Sequence, residues 1–116
     1  MTAPLVSVLL PARDAAATLA ASLRSIQRQR FTAWECIVVD DGSRDGTLAC
    51  AWEFAGADPR FVIVATPPRG LVAALNDGLA RCRAELVARM DADDLMHRDR
   101  LAVQVQALAD TPALWG

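Results

Sequence analysis

Lysine is absent from this sequence: all 12 basic residues are arginine. That excludes chemistry that needs a lysine, including phosphate-binding P-loops, Schiff bases and phosphoacceptor receiver domains. Cysteine occurs three times, at Cys36, Cys50 and Cys82, with no Cys-x-x-Cys or Cys/His cluster. Zinc and a disulfide framework are therefore poor fits, and small buried thiols in a reducing, cytoplasmic setting are expected. Long apolar runs are missing too. The longest uncharged stretch, Met1 to Ala12, is interrupted by Pro4 and Pro11 and falls short of the roughly 20 residues of a membrane span. No basic segment precedes an apolar run at the start, so no leader peptide is expected. Net charge is −2 with no Lys/Arg cluster, which argues against a nucleic-acid partner.

What is present is a compact, core-forming composition. Hydrophobic residues make up 53% and charged residues 22% of 116 positions, enough for one domain over residues 1–116. Apolar runs at Leu5–Leu10, Trp34–Val39, Phe61–Val64 and Glu85–Met90 read as strands. Between and after them, helical spacing links Leu19, Leu23 and Ile26, then Leu48, Trp52 and Ala55, then Leu71, Leu75 and Leu79, then Leu101, Val105 and Leu108. Asp14 stands where the first helix wants an N-cap, and Gly78 weakens the third. Strands rich in Val, Leu and Ile that alternate with helices predict an α/β fold. It has three layers, α/β/α, around a mainly parallel, Rossmann-like sheet. Ligands of such sheets collect at the carboxyl ends of the strands, near the point where strand order reverses.

Those ends are acidic. Asp14 follows the first strand, Asp40 and Asp41 the second, and Asp91, Asp93 and Asp94 the fourth, so six of 11 aspartates are expected on one rim. Carboxylates so close repel unless a cation compensates, and oxygen-only ligands point to Mg²⁺ or Mn²⁺. In extended backbone Asp91 and Asp93 would point the same way; the competing reading is an ordinary polar turn. Asp41 could accept a hydrogen bond from a base or ribose, while Asp40-Asp41-Gly42-Ser43 also suits a tight turn. Arg69 is either a phosphate contact or a solvated loop residue, and His97 reads as an exposed residue at a helix start.

In sequence order, these segments resemble the family 2 glycosyltransferases. Val6-Ser7-Val8-Leu9-Leu10-Pro11-Ala12-Arg13-Asp14 is similar to the family's opening strand. Glu35-Cys36-Ile37-Val38-Val39-Asp40-Asp41-Gly42-Ser43-Arg44-Asp45-Gly46-Thr47 resembles its second-strand signature, and Met90-Asp91-Ala92-Asp93-Asp94 its metal-binding segment. The resemblance runs from about Val6 to Leu108 and implies a GT-A fold that transfers sugar from a nucleotide-diphospho-sugar with inversion. By that resemblance Pro11 and Arg13 lie beside the base and ribose, and Asp41 bonds the base, with a UDP-sugar favoured. Asp91 faces the ribose and metal, and Asp93 holds the metal. Arg13 stands where the family often has an aromatic, and Leu75 where it commonly has arginine.

In the family the acceptor site and catalytic base lie downstream of the metal segment, so the base is expected beyond Gly116. The chain then reads as a truncated donor-binding half, with a glycan or lipid acceptor and any membrane association left to the rest of a longer protein. A different class of reading is a non-catalytic module that binds nucleotide or a partner protein. If the fourth strand has a free edge, self-association through that edge is expected.

Overall fold

The computed structural model describes residues 3–110. Four strands, β1 (Val6–Ala12), β2 (Trp34–Asp41), β3 (Phe61–Thr66) and β4 (Leu86–Arg89), alternate with four helices, α1 (Leu19–Gln27), α2 (Thr47–Ala57), α3 (Leu71–Leu79) and α4 (Arg100–Asp110). The strands form one parallel sheet in the order β3-β2-β1-β4. The three-layer α/β architecture expected from the sequence is what forms.

Every residue of β1 and β2 is buried, because helices cover both faces of the sheet. Strand alternation divides the core in two. Val6, Val8 and Leu10 face one side with Cys36 and Val38, where they meet Leu19, Leu23 and Ile26 of α1, Ala51 of α2 and Leu101 of α4. Leu9, Ile37 and Val39 face the other side, against Ala74 of α3. The change of side follows from the connections. The chain steps outward from β1 to β3, then returns past β1 to β4, and right-handed crossovers put the returning helix on the opposite face. The strand order therefore reverses between β1 and β4, and a crevice opens at their carboxyl ends.

β1 runs on through Pro11 and Ala12, two residues beyond the expected end. Proline normally interrupts a central strand because it has no N–H to donate. On the β4 side pairing ends at Leu9↔Arg89, with the Met90 N–H donating to the Leu9 carbonyl at 3.0 Å, so proline falls just past the last ladder bond on that side.

Two helices turn differently from the expected faces. α2 buries Thr47 and Ala51 and leaves Trp52 54% exposed. Its apolar residues lie all round the helix, so periodicity does not fix a side. Phe54 decides it by packing edge-on against Phe61, which in turn meets Trp34. α3 buries Ala74 and Gly78, with Leu71 and Leu79 exposed. Gly78 is no weakness there: a Cβ would come within 2.3 Å of Leu9 and 2.8 Å of Val39, so glycine lets α3 lie against the sheet.

The amino-terminal margin of the sheet is closed by one buried carboxylate. Glu35 accepts hydrogen bonds from the Ser7 hydroxyl at 2.6 Å, the Arg83 N–H at 2.7 Å and the Arg83 Nε at 3.0 Å. Burial works to raise its pKa, but these donors outweigh burial and hold the carboxyl below its ordinary value. The three cysteines are free thiols, and burial pushes Cys36 far up, out of the reactive range.

Candidate functional site

A cleft of about 450 Å³ opens at the β1/β4 reversal. Pro11 and Ala12 line it from β1, Arg13 from the loop after it, Asp41 from β2, Gly70 and Leu71 from the start of α3, and Asp91 to Asp93 from the segment after β4. Pro11, Arg13, Asp41, Asp91 and Asp93 are thus brought together, as the sequence led us to expect.

Asp40 and Asp41 part company. They are consecutive on a strand, so their side chains leave opposite faces. Asp41 is buried, and its two oxygens accept the N–H groups of Arg69 at 2.8 Å and Gly70 at 3.1 Å. That fixes the loop ahead of α3 and leaves the remaining lone pairs to the cleft. Asp40 does not join the rim: its carboxylate turns toward the loop before α2 and accepts the Ser43 N–H at 3.2 Å. Gly42 lets this turn form. It has φ of 68°, and a Cβ there would sit 2.6 Å from the Pro68 nitrogen.

Asp14 is not the cap of α1; Thr18 holds that position. Asp14 has φ of 48°, in the left-handed region that aspartate tolerates. Two loops are stapled together there. The Asp14 N–H reaches the Ser43 hydroxyl at 2.9 Å, the Ala15 N–H the Thr47 hydroxyl at 2.8 Å, and the Ala16 N–H the Asp45 carboxylate at 3.1 Å. In return, the Arg44 N–H donates to Asp14 at 2.7 Å. The Asp45 pKa is lowered, first by the Thr47 hydroxyl bond and further by backbone donors. Sequence reasoning did not single out Ser43, Asp45 and Thr47 individually. Their alternate spacing after Gly42 was the signal, because polar residues at a loop–helix junction bond backbone donors.

After β4 the backbone does not stay extended. Asp91 to Asp94 form a turn, with the Asp94 N–H donating to the Asp91 carbonyl at 3.1 Å and the Asp91 N–H to the Asp94 carboxylate at 3.2 Å. The turn and the metal-site reading are therefore compatible. Carboxylate oxygens of Asp91, Asp93 and Asp94 lie within 4.8 Å of one another, all exposed. Arg89 pairs with Asp91 at 3.2 Å, whereas Asp93 has no ion pair among the described residues. An all-oxygen group of this kind suits a hard divalent cation that keeps part of its water shell.

Two sequence candidates lie outside this group. Arg69 is exposed, its guanidinium is ion-paired with Asp77 on α3, and it is not among the residues that line the cleft. His97 is exposed, and its Nδ1 accepts the Asp99 N–H at 3.2 Å, the role of a turn residue.

The family model described as Glycosyl transferase family 2 matches residues 7–116. Among curated relatives, the putative glycosyltransferase EpsE of Bacillus subtilis (strain 168) is 38% identical over 107 residues, covering 90% of this chain and 38% of the relative. The Escherichia coli UDP-Glc:alpha-D-GlcNAc-diphosphoundecaprenol beta-1,3-glucosyltransferase WfgD is 30% identical over 105 residues, covering 90% of this chain and 41% of the relative. Among solved structures, the mannosyltransferase PcManGT from Pyrobaculum calidifontis, in complex with GDP-Man and Mn²⁺, superposes with a TM-score of 0.84 at 34% identity. That match covers 94% of this chain and 33% of PcManGT. S. aureus TarS 1-349 in complex with UDP-GlcNAc has a TM-score of 0.85 at 23% identity over 90% of this chain and 31% of that one, a likeness of fold alone. The chain spans well under half the length of the curated relatives it matches.

Proposed function

The chain belongs to glycosyl transferase family 2, and from that premise we propose that its cleft binds the nucleoside diphosphate of a sugar donor through a divalent cation. The observation that carries this reading is the convergence of three exposed carboxylates within 4.8 Å, on the rim of a cleft that Asp41 and Arg13 also line. Support comes from PcManGT, at 34% identity, which is in complex with GDP-Man and Mn²⁺.

Each residue has a part in that reading. Asp93, with no ion pair among the described residues, is the principal ligand; Asp91 shares the cation, with Arg89 balancing its charge. A bound Mg²⁺ or Mn²⁺ supplies Lewis-acid stabilisation of the charge that develops on the departing diphosphate. Asp41 offers its remaining acceptor capacity to a base N–H, with uracil as first candidate and guanine as second. Pro11 walls the base side, and the Arg13 guanidinium lies over the base or ribose. In the whole protein the sugar passes with inversion to a hydroxyl of a glycan or lipid acceptor. The general base for that step lies outside the described residues: Asp94 is committed to the acidic turn and His97 to its own turn.

Calorimetric titration of UDP and of GDP into the chain, with and without Mn²⁺, tests the reading. Binding is expected to be much tighter with the metal than without it, and the tighter nucleotide identifies the base. Absence of heat with every nucleoside diphosphate, under both Mn²⁺ and Mg²⁺, would sink it.

A further inference from the structure

The acidic turn is not held by secondary structure of its own. Between β4 and α4, residues 90–99 contain only turns and irregular backbone. Their backbone polar groups find partners on one polar stripe of α1 and its flanks: Thr18, Ser22, Ser25 and Gln29. The spacing of four, three and four puts these side chains on one helix face, beside the apolar stripe of Leu19, Leu23 and Ile26.

The hydrogen-bond accounting along this stripe is tight. Ser22 is fully buried, and its Oγ lies 2.8 Å from the Ala92 carbonyl and 2.6 Å from the Asp94 carbonyl. One hydroxyl has one proton, so it cannot serve both carbonyls fully. Thr18 resolves this by donating to the Ala92 carbonyl at 3.0 Å, the nearer of its two acceptors (the Ala15 carbonyl is at 3.4 Å), which leaves the Ser22 proton for Asp94. Ser25 donates to the Ser22 carbonyl at 2.6 Å and accepts the Met96 N–H at 2.9 Å. Gln29, only 4% exposed, donates to the His97 carbonyl at 2.7 Å and accepts the Leu101 N–H at 3.1 Å. Donors on the stripe meet the carbonyls of Ala92, Asp94 and His97, and acceptors meet the amides of Met96 and, at the start of α4, Leu101.

From this arrangement we infer that Ser22 and Thr18 are positioning residues for the cation site. They fix the carbonyls of Ala92 and Asp94, which bracket Asp93, and so keep three mutually repelling carboxylates within reach of one ion. Neither hydroxyl is assigned to the ligand itself. The inference rests on the proposed cation reading for its functional meaning, whereas the geometric hold on the turn stands apart from that reading. Partners that orient metal ligands from behind typically account for a 10–100-fold change in metal affinity.

The test compares the full chain with Ser22→Ala, Thr18→Val and the double variant, at temperatures where each is folded by circular dichroism. Mn²⁺ affinity is measured in the presence of UDP or GDP, whichever the chain binds, and affinity for the corresponding nucleoside without metal is measured alongside. About a tenfold loss of Mn²⁺ affinity in each single variant is expected, larger in the double. Thr18 also lines the cleft, so unchanged nucleoside affinity is expected of Ser22→Ala, whose side chain is buried outside the lining. Lowered melting temperature with wild-type Mn²⁺ affinity would make these hydroxyls ordinary stabilisers and overturn the inference. If Ser22→Ala does not fold, Thr18→Val, whose site is half-buried, carries the Mn²⁺ comparison. If the wild-type chain itself binds no Mn²⁺ with nucleotide, the functional reading falls. Amide exchange then decides the geometric hold: faster exchange at Asp94 and Met96 with unchanged exchange in β1 supports it, and unchanged exchange at both overturns it.

Discussion

The two ends of the same sheet treat acidic residues in opposite ways. At the amino-terminal margin, Glu35 is 2% exposed and every oxygen has a protein donor in Ser7 or Arg83. At the carboxyl rim, Asp91, Asp93 and Asp94 crowd together in solvent with few protein donors between them. A carboxylate satisfied by the fold contributes stability, while one left with open lone pairs is available to a ligand. The contrast separates structure from function more sharply than the presence of aspartate or glutamate does.

The largest effect should come from Glu35→Ala. It strands the Ser7 hydroxyl and the Arg83 N–H at a closed margin and should cost about 2–3 kcal/mol in urea unfolding. Nucleotide and metal affinity of the folded variant should stay at wild-type level. A loss below 1 kcal/mol would break the comparison at its structural end.

Asp93→Asn should do the reverse. Mn²⁺-dependent nucleotide affinity is expected to fall about tenfold to a hundredfold, or about 1.4–2.7 kcal/mol, with urea stability within about 0.5 kcal/mol of wild type. Undiminished affinity would remove Asp93 from the site.

Thr47→Val probes how the rim is supported. Thr47 is buried and ties the Ala15 N–H to the start of α2, so its loss should cost about 1 kcal/mol by thermal or urea unfolding. A neutral result would show that the loop 13–16 holds its shape without the staple.

Acid sharpens the comparison with a smaller effect. The donors hold the Glu35 carboxyl below its ordinary value of 4.5, so the native state keeps it ionised more readily than the unfolded chain does. Its contribution is fully present above pH 4.5 and is lost as pH falls through the lower native value. Wild type and Glu35→Ala should therefore differ by a constant amount from pH 7 down to about 5 and draw together as pH falls through the lowered native value. Parallel profiles down to pH 2 would mean that Glu35 is not the titrating group.

The sheet was legible because its strands are short runs of Val, Leu and Ile, which have few alternatives to a buried parallel strand. The cleft was legible because acidic and small residues follow those runs at the ends where ligands collect. The faces of α2 and α3 were not. In α2, Leu48, Trp52 and Phe54 compete for one side, and in α3 Ala74 and Gly78 are buried against the sheet while Leu75 is only partly buried and Leu71 and Leu79 are exposed. The division of Asp40 from Asp41 follows from strand alternation, but only once β2 is known to continue through both. Ser22 and Gln29 were hidden most completely. In a sequence they read as the wet side of an amphipathic helix, and nothing local shows that an irregular segment some 70 residues away will bury them.

The staple between the loops at 13–16 and 43–47 also bears on how the chain can be cut. Arg13 and Arg44 are both exposed and both sit in loops, where trypsin ordinarily nicks first. Yet the amides of Asp14, Ala15, Ala16 and Arg44 are all engaged across the gap. A protease needs several residues of pliable backbone, and neither loop can yield it without releasing the other. Cleavage at either arginine should therefore follow the joint opening of both loops, and the cleft rim, though open to solvent, should resist digestion as one piece.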